Sequence, residues 1–166
     1  GHVELDNGNG GILDGDAKFG KFTLTTGIMN IGKYLMSVDT SAINGSGFGD
    51  AKMIKTAGNS SDKGLQYNFS LSGDYSNDTI VYPIGTDDGG NEITPAYIVI
   101  DGTGLDDSGS FSVTPVPEEH PSTDPTFTYD VLSYYWKTNL TGFESLRGVN
   151  DTISLEYLYH TQLNAG

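Results

Sequence analysis

Six oxygen-bearing side chains in the middle of the chain are of the kind that a hard divalent cation takes. Asp87, Asp88 and Asn91 lie in one glycine-containing loop, and Asp101, Asp106 and Asp107 follow at the far end of the next strand-like run. Carboxylate and amide oxygens on a flexible backbone are calcium ligands. No Lys or Arg occurs between Lys63 and Lys137 to compete with a cation from nearby in the sequence. Calcium is thus the cofactor these residues suggest, with simple solvation of loop acids as the plain alternative. Strands joined by one hairpin put alternate loops at opposite ends, so the two clusters need not meet. A second chemistry belongs to Tyr134 and Trp136, which share one face of a strand while Tyr135 takes the other. Exposed, that pair is a stacking platform for sugar rings; buried, it is core, and a lone Trp in a glycine-rich chain is packing area worth burying.

Reaction chemistry is poorly supplied. His2, His120 and His160 fall at the terminus, in a proline-rich stretch and near the C-terminal end, none in a nucleophile or metal motif. Asp87, Asp88, Asp106 and Asp107 could be imagined as glycosidase acids, yet glycine-flanked loops explain them by solvation. Cys is absent, which removes disulfides, thiolate metal sites and cysteine nucleophiles together. The chain reads as non-enzymatic. With 8 Lys and Arg against 22 Asp and Glu, its net charge of -14 repels phosphate backbones and anionic lipid, so nucleic acid is not an expected partner. No apolar run approaches the roughly 18 residues of a membrane span, and membrane insertion is not expected.

The elements that position these residues are short strands. The 166 residues include 23 Gly, 10 Tyr and 7 Phe, with 18% charged residues, the make-up of a turn-rich β protein whose aromatics hold much of the core. Residues 3–20 alternate apolar pairs with Gly, Asn and Asp, and Asp6, Asn7, Asn9, Asp14 and Asp16 read as Asx turns before they read as calcium ligands. Phe22 and Leu24 alternate with Thr23 and Thr25, and Tyr34 to Val38 is another strand. In this part a stacked-coil arrangement, as in a β-solenoid, fits as well as a hairpin meander. Leu65, Tyr67, Phe69 and Leu71 alternate strictly with polar neighbours. Their apolar face is expected to pack on Ile80, Tyr82 and Ile84, or on the strand from Tyr97 to Ile100, as a face-to-face sandwich. Four prolines from Pro115 to Pro125 read as a loop or a stiff connector. Phe127 to Leu132, Tyr134 to Thr138 and Ile153 to Tyr159 resume the strand pattern.

Three stretches carry a family resemblance. GKFTLTTGIMNIGKYLMSV is similar to text that recurs in large secreted, adhesin-like and gliding-associated surface proteins of the Bacteroidetes. VYPIGTDD, followed by the strand from Pro95 to Ile100, resembles their F-P-V-G element, and Tyr134 to Lys137 resembles their Y-W-x-I strand, in the same order. The resemblance implies export through an outer-membrane secretion route, an extracellular or cell-surface location and a role in attachment, gliding or biofilm matrix. The expected partners are neighbouring modules or copies of the same chain, with surface glycans as a further class. Asp78-Thr79-Ile80 and Asp151-Thr152-Ile153 also resemble the Asp-Thr-apolar O-glycosylation site of exported Bacteroidetes proteins, which makes Thr79 and Thr152 candidate modified residues.

The expected fold is all-β, with β-sandwich-like antiparallel sheets over residues 57–166. Residues 1–56 form a turn-rich segment open to short β-solenoid-like coils, and the two parts make one continuous module. Its function is expected to be that of a surface module of an adhesin or fibre, with a carbohydrate-binding module as the alternative.

Overall fold

Val3 and Leu5 alternate with polar residues, and so do Phe22 and Leu24 nineteen positions on, so each strand has one side to bury and cannot bury it alone. The chain answers this by stacking, which buries Phe22 and Leu24 and half-buries Leu5, while Val3 stays exposed. The computed structural model describes residues 1–39, 43–69, 78–87, 90–101, 108–124, 126, 133–142 and 152–156. A first coil is formed by β1 (His2–Asp6), β2 (Gly11–Ile12) and β3 (Ala17–Phe19), and a second by β4 (Lys21–Thr26), β5 (Met29–Gly32) and β6 (Leu35–Val38). Each strand of the second pairs in parallel with its counterpart in the first. Val3 meets Phe22 and Ala17 meets Met36, both 19 positions apart, and Gly11 meets Met29, 18 apart. A third, longer coil places β7 (Ile54–Thr56) on β5 and β8 (Gly64–Phe69) on β6, again in parallel. Among the described residues its first face is one bridge, Thr23 to Asn44.

The corners of the stack are made by the turn residues. Asn7 accepts from the backbone N–H of Asn9 through its side chain (3.0 Å) and of Gly10 through its carbonyl (2.7 Å). Gly27, at the corner above, has φ of 80°, and a Cβ there would lie 2.0 Å from the Asn7 carbonyl oxygen. Acids bind one coil to the next. Glu4 accepts from the Thr25 hydroxyl (2.8 Å) and Asp6 from that of Thr26 (3.0 Å).

The Thr79 to Asp101 stretch is an antiparallel hairpin broken twice by proline. β9 (Asp78–Tyr82) pairs with β12 (Ala96–Asp101), while β10 (Ile84–Thr86) pairs with β11 (Glu92–Ile93). Pro83 and Pro95 sit at the breaks, so the hairpin's base and its tip belong to different sheets. The tip extends the stack, because β10 lies parallel on β7 with Ile84 opposite Ile54. The base forms a three-stranded sheet with β15 (Thr152–Glu156), in the order β15-β12-β9. β13 (Gly109–Val116) and β14 (Tyr135–Gly142) add antiparallel strands beside β8, giving the order β14-β13-β8-β6-β3.

Leu65, Tyr67 and Phe69 share one buried core with Ile80, Tyr82, Ile98 and Phe111. The rings of Tyr67 and Tyr82 lie 4.3 Å apart and Tyr82 meets Phe111 edge-on at 6.2 Å, which lays the three-stranded sheet face to face on the five-stranded sheet that holds β8, called the five-stranded sheet below; the stack's other sheet runs β11-β10-β7-β5-β2. The fold is all-β, with no helix among the described residues. Among those residues, therefore, no helix is long and apolar enough to cross a membrane.

Two expectations about strands need correcting. Parallel pairing does not stop at residue 56, since β8 and β10 both join parallel ladders; alternation reveals that a strand has one buried face but not the direction of its neighbour. Pro115 lies inside β13 rather than in a connector. The pairing of β13 with β8 ends at Val113 opposite Leu65, so beyond that point Pro115 faces β14 alone, as on an edge strand where a missing N–H is tolerated.

Acid titration should weaken the stack. Asp16 accepts from the Leu35 backbone N–H (3.0 Å) and from Lys63 (2.6 Å), which holds its carboxyl below the usual carboxylate range. Asp39, bonded to Lys18 (2.9 Å) and to the Asn68 amide (2.8 Å), is lowered likewise. Folded values below the unfolded ones mean that the unfolded chain takes up protons first. The contribution is whole above about pH 4 and is lost as pH falls through the lowered values. An Asp16→Asn, Asp39→Asn double variant should therefore melt below the wild type at pH 6 and level with it near pH 2. An equal gap at both values would count against the two carboxylates.

Candidate functional site

The tip of the hairpin brings Asp87 and Asn91 together, but it also brings in a cation of its own. Lys55, in the middle of β7, lies one strand over from β10, and its Nζ reaches Asp87 Oδ1 at 2.9 Å and Asn91 Oδ1 at 3.0 Å. The Lys55 side chain is 14% exposed, while that of Asp87 is 63% exposed. The expectation that no basic residue competes at this loop is corrected by the parallel pairing of β7 with β10, which joins positions 32 residues apart. Asp101 ends β12 at the other end of the hairpin. The six residues of β12 alone span roughly 17 Å, so the backbone of Asp101 is well away from Asp87 and Asn91. Asp88, Asp106 and Asp107 lie outside the described residues. Among the described residues no three His, Cys, Asp or Glu side chains are grouped to hold a metal. Because a calcium ion would have to displace the Lys55 ammonium, chelation with EGTA at low salt is expected to leave the melting temperature unchanged within about 1 °C. A clear drop on chelation would restore the cation site.

Tyr134 and Trp136 do share a face. Their rings meet at 5.2 Å and 70°, an edge-to-face pair rather than one flat plate. Both are half-buried, and Trp136 packs against the core cluster. The indole N–H donates to the Thr94 carbonyl at 3.0 Å, and the Tyr134 hydroxyl donates to the Thr94 hydroxyl. Burial pushes the Tyr134 hydroxyl well above its ordinary pKa. The pair therefore ties β14 to the link between β11 and β12.

Thr79 is an exposed residue of β9, and Thr152 opens β15, its backbone opposite Asp101. The two strands carrying the Asp-Thr-Ile motifs flank β12 on either side. Of the histidines, His2 lies 2.9 Å from the Thr23 hydroxyl, and His120 accepts from the Ser122 N–H at 3.2 Å with its ring edge-on to Tyr135. His160 lies outside the described residues.

A polar groove that the sequence did not announce lies on the outer face of the five-stranded sheet. Register places Lys18, Ser37, Gln66, Ser112 and Asn139 in one row across five strands, a line of roughly 19 Å at the usual strand spacing. The next residues on that face, Asn68, Ser110 and Thr141, form a second row. At one end the groove closes on the turn Asn59–Asp62, where Asp62 Oδ2 accepts from the Asn59 N–H at 3.0 Å. Lys137 Nζ reaches over to donate to the carbonyls of Ser60 (2.6 Å) and Asp62 (2.5 Å). The resulting hollow has a volume of about 460 Å³. Asp62 is 1% exposed, and its Oδ1 has no hydrogen-bond partner.

A second cleft of about 470 Å³ is lined by Phe48, Val81, Pro83, Ile93, Pro95 and Tyr97. It is mainly apolar.

Compared with known proteins, the chain matches no family model, no curated protein and no solved structure.

Proposed function

We propose that this chain is a non-enzymatic, extracellular module of a bacterial adhesin or fibre, with a structural and attachment role. What supports the reading above all is where its acidic side chains go. Glu4, Asp6, Asp16, Asp39, Asp50 and Asp87 each bond to a residue of another strand or coil, the pattern of a scaffold held together by its own polar groups. The likeness to Bacteroidetes surface proteins adds the location, and the partners in this reading are neighbouring modules or further copies of the chain. Display of the chain on a non-adherent bacterial strain should raise cell retention under flow several-fold over a displayed, unrelated β protein. Retention equal to that control would overturn the attachment role.

The second reading is a carbohydrate-binding module. It is favoured by the uncharged strip on the five-stranded sheet, where Ser, Gln, Asn and Thr side chains offer hydrogen bonds in both senses. Neutral oligosaccharides on a glycan array test it, and a blank array rejects it.

A further inference from the structure

Among the described residues Thr86 Oγ1 and Asp62 Oδ1 are buried without a hydrogen-bond partner, and only Asp62 is an acid. A buried carboxylate oxygen without a partner is rare in a native protein and calls for a donor that the protein itself does not supply. Asp62 lines the polar hollow, together with Gln66, Ser112, Lys137, Thr138 and Asn139. The volume, about 460 Å³, falls in the range of small-ligand sites.

The chemistry of the lining narrows the ligand. Amides at Gln66 and Asn139 and the hydroxyl at Ser112 each donate and accept, so the ligand must be polar along its length. Leu35 is the one aliphatic side chain among the lining residues, which leaves little to hold an apolar ligand. The Lys137 ammonium is engaged by the Ser60 and Asp62 carbonyls, and Lys63 is paired with Asp16, so an anion has no idle cation to meet there. The buried carboxylate and the net charge of -14 repel phosphates and acidic sugars.

We propose that the groove between the Asn59–Asp62 turn and β14 binds a neutral, polyhydroxylated chain, a carbohydrate laid along the row Gln66, Ser112 and Asn139 with one hydroxyl donating to Asp62 Oδ1. This inference rests on the carbohydrate-binding reading and fixes its site on the face of β14 opposite the aromatic pair, where Lys137 and Asn139 alternate with Trp136.

The test uses the whole chain on an array of neutral and acidic oligosaccharides, followed by titration of the best neutral one. Asp62→Asn removes the accepting oxygen while keeping shape, and Gln66→Ala and Asn139→Ala alter the groove away from the buried turn. Each should weaken binding about tenfold or more, with the melting temperature of the two alanine variants within about 2 °C of the wild type. Binding that ignores all three substitutions, but shields the Trp136 indole from acrylamide, would overturn the groove and leave the carbohydrate reading standing. Binding of acidic oligosaccharides alone would also overturn it. An array blank for every sugar would reject the inference and the reading together.

Discussion

Replacing Tyr67 with alanine is expected to lower the free energy of unfolding by about 5 kcal/mol and the melting temperature by about 15 °C. Tyr67 is fully buried in β8, and its ring lies against that of Tyr82 across the layers, tilted by 36°. Its hydroxyl donates to the Val81 carbonyl at 2.9 Å and accepts from the Ile43 N–H at 3.2 Å. Alanine would empty the space and leave both backbone groups buried without their partner, two costs that add. Phenylalanine separates them: it keeps the ring and loses the bonds, and should cost about 2 kcal/mol. Urea denaturation of the three proteins measures both steps. A loss below about 1 kcal/mol for the alanine variant would mean that this ring does not join the two layers.

Gly64→Ala is the second large effect, about 3 kcal/mol of destabilisation. Gly64 opens β8 with φ of 77°, and a Cβ there would lie 2.2 Å from the Val113 carbonyl oxygen and 2.3 Å from the Thr114 hydroxyl. One methyl group therefore forces β8 and β13 apart in the middle of the five-stranded sheet. Gly15→Ala is the control, because nothing lies within 4 Å of the added carbon, and it should stay within about 0.5 kcal/mol. Equal melting temperatures for the two variants would refute the close approach.

Much of this architecture could be read from alternation. Phe22, Leu24, Leu65, Tyr67 and Phe69 all face inward as their spacing requires, because a half-buried strand has period two whatever it pairs with. That same rule hid the direction of pairing. The sign of the parallel stack was the recurrence of Val3 and Leu5 at Phe22 and Leu24, short enough to pass for chance over two coils. The site was less legible, because its residues meet only through the ladder. Lys55 finds Asp87 from 32 positions away, and Lys137 finds Ser60 from 77, across strands whose order no local pattern reveals. Asp62 looks like any polar loop residue in the run Asn59, Ser60, Ser61, Asp62. Over that turn reaches Lys137, from a strand 75 positions on.

The two proline breaks carry a consequence for timing. β4 finds β1 from 19 positions away, whereas β7 must wait for β10, which arrives from 30 positions downstream only once the chain has turned at Pro83. Closing the longer loop costs somewhat more entropy, so the early coils can zip in the order they leave a ribosome or an export channel, each templated on the one before. The hairpin then locks the last rung like a latch. Pulsed hydrogen-exchange labelling during refolding should show amides of β4 to β6 protected ahead of those in β10 and β11, and simultaneous protection would deny that sequence of events.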